Sequence, residues 1–185
     1  SEITERAMRG EIAFEPALRE RVALLAGLEE KIVARVISER ITLTPGGRAL
    51  IQTMRANGAH TALVSGGFTV FTSRIAKTLG FDENRANILL EKDGILTGEV
   101  AEPILGKQAK VDALQDISAR LGIPLSDTMA VGDGANDLGM LSLAGAGVAL
   151  HAKPVVAAQC DIRINHGDLT ALLFIQGYRR EEFAA

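Results

Sequence analysis

From residue 46 onward, short apolar segments alternate with longer segments whose apolar residues recur at helical spacing. The short segments are typical of strands and the longer ones of amphipathic helices. Because parallel strands need a crossover connection, usually a helix, this order favours a parallel sheet covered on both faces. Asp93-Gly94 between two short apolar runs predicts a β-hairpin at 86–100. The pattern predicts further strands over 60–64, 128–131, 146–150 and 161–164, and helices over 46–57, 68–79, 107–121, 136–144, 154–159 and 168–175.

The first forty residues show a different pattern. Apolar residues such as Phe14 and Leu18 recur there at helical spacing, and the region has neither a strand pattern nor a Gly-rich loop. Helix-breaking residues cluster at 42–46, which indicates a boundary. We therefore predict a small α-helical cap over 1–42 and an α/β core over 43–185. The core is expected to be a Rossmann-like parallel sheet with helices on both faces.

The composition narrows the class of partner. The sequence has 20 Lys and Arg against 23 Asp and Glu, which gives a net charge of −3 and argues against nucleic-acid binding through phosphates. No apolar run approaches the ~18 residues that a membrane span requires. The single Cys160 excludes an intramolecular disulfide and a cysteine cluster for zinc. We expect a protein of the reducing cytoplasm that binds neither nucleic acid nor membrane.

The segment Gly132-Asp-Gly-Ala-Asn-Asp137 follows a predicted strand and precedes a predicted helix. Ligands of parallel sheets bind at the carboxyl ends of the strands, where this loop lies. Its side chains, those of Asp133, Asn136 and Asp137, suit Mg²⁺, which takes one or two protein carboxylates and completes its octahedron with waters and substrate phosphate. The alternative is a turn that caps the next helix. A string of six such residues favours a functional site.

Two further positions are compatible with phosphate chemistry. Ser65 begins a Ser-Gly-Gly turn after a predicted strand, and a hydroxyl with backbone N–H groups at a helix N-terminus can bind an anion. The alternative is an ordinary N-cap serine. Lys110 lies near the start of a helix, where a cation opposes the helix dipole, and a buried role against phosphate would explain it. The alternative is a solvated lysine like Lys107.

Taken in order, the Val-Ser-Gly-Gly segment at 64–67, Lys110 and the loop at 132–137 resemble three motifs of the haloacid dehalogenase superfamily. The spacing of Lys110 and Asp133 also fits that superfamily. Within it, the resemblance is closest to the phosphoserine phosphatase family. Four segments of the sequence are similar to that family, namely residues 7–25, 92–98, 131–138 and 151–154.

The resemblance implies Mg²⁺-dependent hydrolysis of O-phospho-L-serine to serine and phosphate through an aspartyl-phosphate, the last step of serine biosynthesis. It also implies a role for each matching residue in the core. Ser65 and the backbone of Gly66 would bind the transferring phosphoryl group, and Lys110 would neutralise its charge. Asp133 would bind Mg²⁺. Asp137 would fix Lys110, and Asn136 would contact phosphate or a metal-bound water.

The resemblance extends to the predicted cap. Arg21 would pair with the substrate carboxylate, for which a planar guanidinium is well suited. Met8 and Phe14 would close the pocket and exclude water. The alternatives are plain helix packing for Met8 and Phe14, and for Arg21 an ion pair with a glutamate such as Glu20 or Glu29.

The sequence departs from the superfamily in one respect. The first motif of that superfamily is a strand ending in Asp-x-Asp-x-Thr, whose first Asp is the nucleophile, and this sequence has no Asp before Asp82. The chain as given is therefore expected to be inactive. The missing strand would lie between two predicted strands, the one that leads to Ser65 and the one that leads to Asp133. We expect it to come from a longer N-terminus or from another chain.

Other functions stay open at this point. The chain could be a phosphate-ester binding module without a nucleophile, or a phosphatase for another small phosphomonoester. The phosphorylation domain of a cation-pumping ATPase carries a similar Gly-Asp-Gly string, but the short cap and the absence of an apolar span argue against it. A generic nucleotide-binding domain is disfavoured because the sequence has no GxGxxG or P-loop string.

Overall fold

The computed structural model describes residues 3, 6 and 12–184, without the side chains of residues 34, 37 and 38. The described part begins with three helices: α1 (Phe14–Ala23), α2 (Glu30–Arg40) and α3 (Gly47–Ala56). Strands and helices then alternate, as the sequence predicts. The elements are β1 (Ala62–Phe68), α4 (Thr69–Leu79), β2 (Glu83–Asn87), β3 (Leu89–Lys92), β4 (Ile95–Val100), α5 (Lys107–Leu121), β5 (Met129–Gly132), α6 (Leu138–Leu143), β6 (Ala146–Leu150), α7 (Pro154–Ala157), β7 (Ile162–Ile164) and α8 (Ala171–Ile175).

The parallel strands form two hydrogen-bonded pieces. β1 pairs with β2, and β5, β6 and β7 pair in that order. β1 and β5 each have one edge on which, among the described residues, no strand is paired. Helix α5 contacts β1 in the first piece and α6 in the second. This helix therefore joins the two pieces of the sheet.

The central strand of the larger piece supplies much of its core. Val148 on β6 is fully buried because β5 and β7 flank its strand, and it packs with Ile164 and Leu172. On the other side, Ala149 packs with Leu141 of α6 and Val156 of α7. Side chains of a strand alternate between the two faces, so helices cover both faces of this piece.

The antiparallel pair β3–β4 supports helix α1. The turn between them places Asp93 and Gly94 at positive φ (54° and 75°), as a two-residue turn of the type that joins twisted hairpin strands requires. Leu18 and Val22 of α1 pack against Val100 and the following segment. Burial of apolar surface stabilises a contact by ~25 cal/mol per Å². These contacts therefore hold helix α1 against the hairpin.

The α/β fold class is confirmed, and several elements agree closely with their predicted bounds. Helix α5 and strand β6 coincide with the predicted 107–121 and 146–150. Two expectations need correction. Strand β1 does not stop before Ser65 but continues to Phe68, with an irregular register after Val64. The hairpin is shorter than 86–100, because residues 86 and 87 belong to β2, a parallel strand that the sequence did not predict.

Strand β2 escaped prediction for a physical reason. Its sequence, Glu-Asn-Arg-Ala-Asn, has one apolar residue and no alternation of apolar and polar positions. Within the described residues it pairs only with β1, so it forms an edge, where polar residues are tolerated. The predicted boundary at residue 42 falls in the segment between α2 and α3, and the division into two domains stays a prediction. None of the described helices combines the length and apolarity that crossing a bilayer demands.

Candidate functional site

The loop between β5 and α6 is organised around the carboxylate of Asp137. One of its oxygens, Oδ2, accepts hydrogen bonds from the backbone N–H groups of Asp133 (3.1 Å) and Gly134 (3.0 Å). The other, Oδ1, accepts one from the ammonium of Lys110. Asp137 stands at the N-cap position of α6, yet its side chain does not bond to that helix. The carboxylate therefore serves the loop and Lys110, and a plain helix cap does not describe it.

The approach of Asp137 to the loop needs a residue without a side chain at position 132. A Cβ added to Gly132 would lie 2.5 Å from the Cβ of Asp137, closer than any real contact of this kind. Glycine here lets the carboxylate approach the backbone it organises.

Lys110 is withdrawn from solvent. It lies in the first turn of α5, and its side chain is 13% exposed, against 4% for that of Asp137. Lys107, one turn earlier, is exposed. A buried ammonium needs a partner, and Asp137 supplies it. The reading of Lys110 as a solvated lysine like Lys107 is therefore wrong.

The side chains of Asp133 and Asn136 differ from that of Asp137. Both residues are exposed, and among the described residues neither side chain has a hydrogen-bond partner. The backbone of Asp133 is fixed, since its carbonyl accepts a hydrogen bond from the N–H of Lys153 (3.2 Å). The loop thus presents one unengaged carboxylate and one amide outward at the carboxyl end of β5.

A single unengaged carboxylate can supply only one ligand to a metal ion. Across residues 3, 6 and 12–184, no group of three or more His, Cys, Asp or Glu side chains stands close enough to hold a metal ion. Mg²⁺ needs no such group, because it commonly takes one or two protein carboxylates and fills its remaining positions with waters and substrate oxygens. The unengaged carboxylate of Asp133 fits one position of that octahedron, whereas the engaged carboxylate of Asp137 does not.

The end of β1 forms a second polar surface. The Ser65 hydroxyl accepts a hydrogen bond from the N–H of Gly67 (3.0 Å), inside the stretch where the register with β2 is irregular. The ring of Phe14 lies over Gly66, because a Cβ added there would lie 3.6 Å from it. The same ring lies 3.4 Å from a Cβ added at Gly106. Phe14 therefore spans the two backbone segments that lead to Ser65 and to Lys110.

Helix α1 places Phe14 and Arg21 on one face. Seven residues make almost two full turns, so Arg21 lies about 10 Å from Phe14 along the same side of the helix. Arg21 is exposed, and both of its alternative partners are otherwise engaged: Glu20 pairs with Arg6 (3.2 Å) and Glu29 with Lys31. The surface ion pairs considered for Arg21 are therefore absent from the described residues. The predicted pocket residue Met8 lies outside the described residues.

An ion pair links helix α1 to the segment that connects β4 and α5. Arg19 pairs with Glu102, which lies between β4 and α5. The hydrogen bond and charge of Arg19 hold the pKa of Glu102 below its usual value. Since both side chains are exposed, the pair mainly orients the helix and adds little stability.

The structure brings the predicted residues together in two groups. Asp133, Asp137 and Lys110 form one group, and Ser65, Gly66 and Phe14 form the other. Helix α5, which contacts β1 and α6, joins them. The catalytic and binding roles assigned to these residues remain predictions.

Sequence reasoning missed Asn87 at the end of β2. Its side chain is buried and hydrogen-bonds to Gly66 and to Leu105, before α5. The only local signal was a lone amide between Ala86 and an apolar run, which has no specificity by itself.

The chain is similar to a family of hydrolases over most of its length. A family model of haloacid dehalogenase-like hydrolases matches residues 3–142. The phosphoserine phosphatase of Streptomyces coelicolor is 46% identical over 185 residues, covering 100% of this chain and 45% of the relative. That of Streptococcus thermophilus is 46% identical over 175 residues, covering 95% of this chain and 81% of the relative. The chain thus spans about half the length of the Streptomyces protein and most of the Streptococcus protein.

Solved structures agree with the sequence relatives. The unliganded crystal structure of a probable phosphoserine phosphatase from Vibrio cholerae superposes with a TM-score of 0.90 at 39% identity, covering 95% of this chain and 54% of that one. A substrate-bound phosphoserine phosphatase complex superposes with a TM-score of 0.84 at 42% identity, covering 94% and 82%. With its fold, its Lys110–Asp137 pair and its similarity to phosphoserine phosphatases, the chain belongs to the haloacid dehalogenase-like hydrolase family.

Proposed function

We propose that this protein hydrolyses O-phospho-L-serine to serine and inorganic phosphate in a Mg²⁺-dependent reaction, the last step of serine biosynthesis. The observation that carries the proposal is the loop after β5, where Asp137 neutralises the largely buried Lys110 and leaves Asp133 unengaged. Phosphoryl transfer depends largely on positioning and charge stabilisation, to which this arrangement would contribute. The phosphoserine phosphatases at 46% identity support the substrate.

In this proposal each group of residues has a separate task. Lys110, held by Asp137, offers its remaining N–H donors to phosphoryl oxygens, and the Ser65 hydroxyl and the Gly66 backbone bind the same group from the end of β1. Mg²⁺ held by Asp133 would neutralise phosphate charge, and Asn136 would contact phosphate or a metal-bound water.

The predicted cap would select the substrate. Arg21 is exposed on the face of α1 that carries Phe14, so its guanidinium can take the substrate carboxylate as a bidentate pair. Phe14, and in the proposal Met8, exclude water from the reacting phosphate. Exclusion of water strengthens the charge interactions inside the site.

The nucleophile is the part that these residues do not supply. An aspartate oxygen attacks phosphorus while the serine oxygen leaves and takes a proton from a general acid, and water then releases phosphate from the aspartyl-phosphate. No Asp precedes Asp82 in the sequence. We propose that a further parallel strand, from a longer form of the same chain or from another chain, fits between the open edges of β1 and β5 and carries that aspartate.

Urea unfolding tests the further strand. Each unpaired backbone group that is buried costs ~1–3 kcal/mol, against a total stability of ~5–15 kcal/mol. The 185 residues alone should therefore unfold without a cooperative transition, whereas the same residues together with the chain segment that supplies the strand should show one. A cooperative transition of the 185 residues as a monomer contradicts the further strand.

An activity assay tests the reaction and the metal assignment together. Phosphate release from O-phospho-L-serine is measured with and without Mg²⁺, using the protein expressed from its complete reading frame. Asp133→Ala should abolish the Mg²⁺-dependent turnover. The control is Asp127→Ala, which replaces an exposed aspartate just before the start of β5 and should leave the turnover unchanged. Full turnover in Asp133→Ala would remove Asp133 from the metal site. Turnover of other phosphomonoesters but not of phosphoserine would refute the substrate.

A second candidate is a module that binds phosphate esters without hydrolysing them. A chain that binds phosphate esters without a nucleophile would bind O-phospho-L-serine and release no phosphate. Calorimetric titration beside the activity assay separates the two functions. The location of the protein in the reducing cytoplasm stays a prediction, which rests on the single cysteine of the sequence.

A further inference from the structure

Asn87 is a buried polar side chain at the end of β2. It is 2% exposed and among the largest fully buried side chains of the described residues. A buried amide without partners is costly, so such a residue persists where its hydrogen bonds are complete. The hydrogen-bond partners of Asn87 should therefore account for its burial.

Both ends of the amide are used, and they join two separate segments. Nδ2 donates to the carbonyl of Gly66 (3.0 Å) and to the carbonyl of Leu105 (3.2 Å). Oδ1 accepts from the N–H of Leu105 (2.7 Å). A single side chain thus fixes the end of β1 to the segment that enters α5.

Those two segments carry the proposed phosphate-binding groups. Gly66 follows Ser65 directly, and Leu105 lies just before α5, whose first turn holds Lys110. The Phe14 ring lies over Gly66 and over Gly106, the neighbour of Leu105. Asn87 thereby fixes the spacing of the same two backbone segments that the Phe14 ring covers.

We infer that Asn87 is a positioning residue, which sets the distance between the Ser65–Gly66 backbone and the first turn of α5 so that both contact one phosphoryl group. The inference rests on the proposed function, because it assigns the two segments to one phosphate. Asn87 acts through Gly66 and Leu105 and is not itself a catalytic residue.

The chemistry of the contacts requires an amide. A carboxylate of the same shape accepts hydrogen bonds only, so Asn87→Asp keeps the bond from the Leu105 N–H and sets an anionic oxygen against two carbonyls. Asn84 offers a matched control on the same strand. Its Oδ1 accepts hydrogen bonds from Thr72 and Ser73 of α4, away from the two segments.

The test compares Asn87→Asp and Asn84→Asp in the protein expressed from its complete reading frame. Turnover of O-phospho-L-serine is measured per folded molecule, well below each melting temperature, with the inhibition constant of inorganic phosphate. Because a displacement of about 1 Å can cost 10²-fold in rate, we expect Asn87→Asp to lower kcat about 100-fold. It should also weaken phosphate inhibition, while Asn84→Asp, whose carboxylate can still accept the two hydroxyl hydrogen bonds, changes neither.

Several outcomes overturn the inference. Unchanged kcat and phosphate inhibition in folded Asn87→Asp would refute it, and so would an equal loss in Asn84→Asp. If Asn87→Asp does not fold, the wild type is titrated with inorganic phosphate instead, and the backbone amide signals are followed by NMR. The signals of Gly66 and Leu105 should then shift with one dissociation constant, and a Leu105 signal that stays in place overturns the inference.

The proposed function has its own mode of failure. A wild type that neither hydrolyses O-phospho-L-serine nor binds inorganic phosphate refutes the function and, with it, the role of Asn87. A wild type that binds phosphate with an affinity equal to that of Asn87→Asp refutes only the positioning role.

Discussion

Replacing Asp137 by asparagine removes one charge from the loop after β5 and changes the shape little. The amide oxygen of asparagine can still accept the N–H groups of Asp133 and Gly134. Its NH₂ group then faces the ammonium of Lys110, and two donors meet. The perturbation thus isolates the ion pair from the hydrogen bonds that shape the loop.

The burial of the pair gives the magnitude. With side chains 13% and 4% exposed, Lys110 and Asp137 are close to the buried limit, where losing one partner costs ~3–5 kcal/mol. A domain has only ~5–15 kcal/mol in total, so Asp137→Asn should remove roughly a fifth of the free energy of unfolding or more. Replacing both charges by residues of similar size is often neutral. The double variant Asp137→Asn with Lys110→Met should therefore regain most of the loss.

Urea unfolding of the protein from its complete reading frame measures the effect. The midpoint should fall in Asp137→Asn while the slope stays constant, because the exposed surface of the unfolded state is the same. Asp127→Asn, at an exposed position, is the control and should leave the midpoint unchanged. A loss below ~1 kcal/mol in Asp137→Asn, or two single losses that simply add in the double variant, would refute the reasoning.

Three other substitutions test the roles of Arg21, Gly132 and Asp82. Arg21→Ala should lower kcat/KM for O-phospho-L-serine about 10–100-fold, as loss of a charge-assisted contact does. The kcat/KM for a phosphate ester without a carboxylate should stay unchanged, and equal losses for both substrates would remove Arg21 from substrate selection. Gly132→Ala, whose Cβ would lie 2.5 Å from that of Asp137, should cost ~1–3 kcal/mol in urea unfolding, and an unchanged midpoint would contradict the close approach. Burial raises the pKa of Asp82, but hydrogen bonds from Thr61 and the charge of Arg55 outweigh it and hold that pKa below its usual value. Because a lowered carboxyl pKa adds stability above ~pH 4 that is lost as pH falls through the folded value, Asp82→Asn should reduce the acid-dependent loss of stability below ~pH 4. A wild-type acid slope in Asp82→Asn would contradict this.

Elements that carry their own boundary signals could be predicted from the sequence. Helix α5 has a continuous helical pattern and ends at Gly122, whose φ of 67° is the left-handed conformation that suits glycine at a helix C-terminus. The hairpin turn at Asp93-Gly94 is equally local. In these elements the deciding interactions lie within a few residues of chain, so a pattern in the sequence is sufficient.

Strand β2 shows why the rest could not be predicted. Its first residue, Glu83, is held by His60 (2.7 Å), Arg85 (3.1 Å) and Arg120, and its last residue, Asn87, by Gly66 and Leu105. Apart from Arg85, which lies on β2 itself, these partners come from other elements or from loops beyond the strand. A polar strand stabilised by such contacts has no apolar period, so only the folded chain reveals it.

The site shows the same division. The residue types at 132–137 located the loop, but without the resemblance to a known family they do not tell which aspartate is free to bind a metal. That choice depends on Lys110, which lies 27 residues before Asp137 and reaches it only in the folded state. Once Lys110 and two N–H groups engage Asp137, the carboxylate left for a ligand is that of Asp133.

The segment from Leu105 to Lys110 connects the two pieces of the sheet more directly than strand pairing does. Its first residue is bound through Asn87 to the end of β1, and its last residue pairs with Asp137 beside β5. Among the described residues no strand pair links those two pieces. The spacing between the Ser65–Gly66 backbone and the loop after β5 is therefore set by hydrogen bonds and one buried charge pair at the two ends of this short segment. If a further strand enters between β1 and β5, it has to fit a spacing that this segment already fixes.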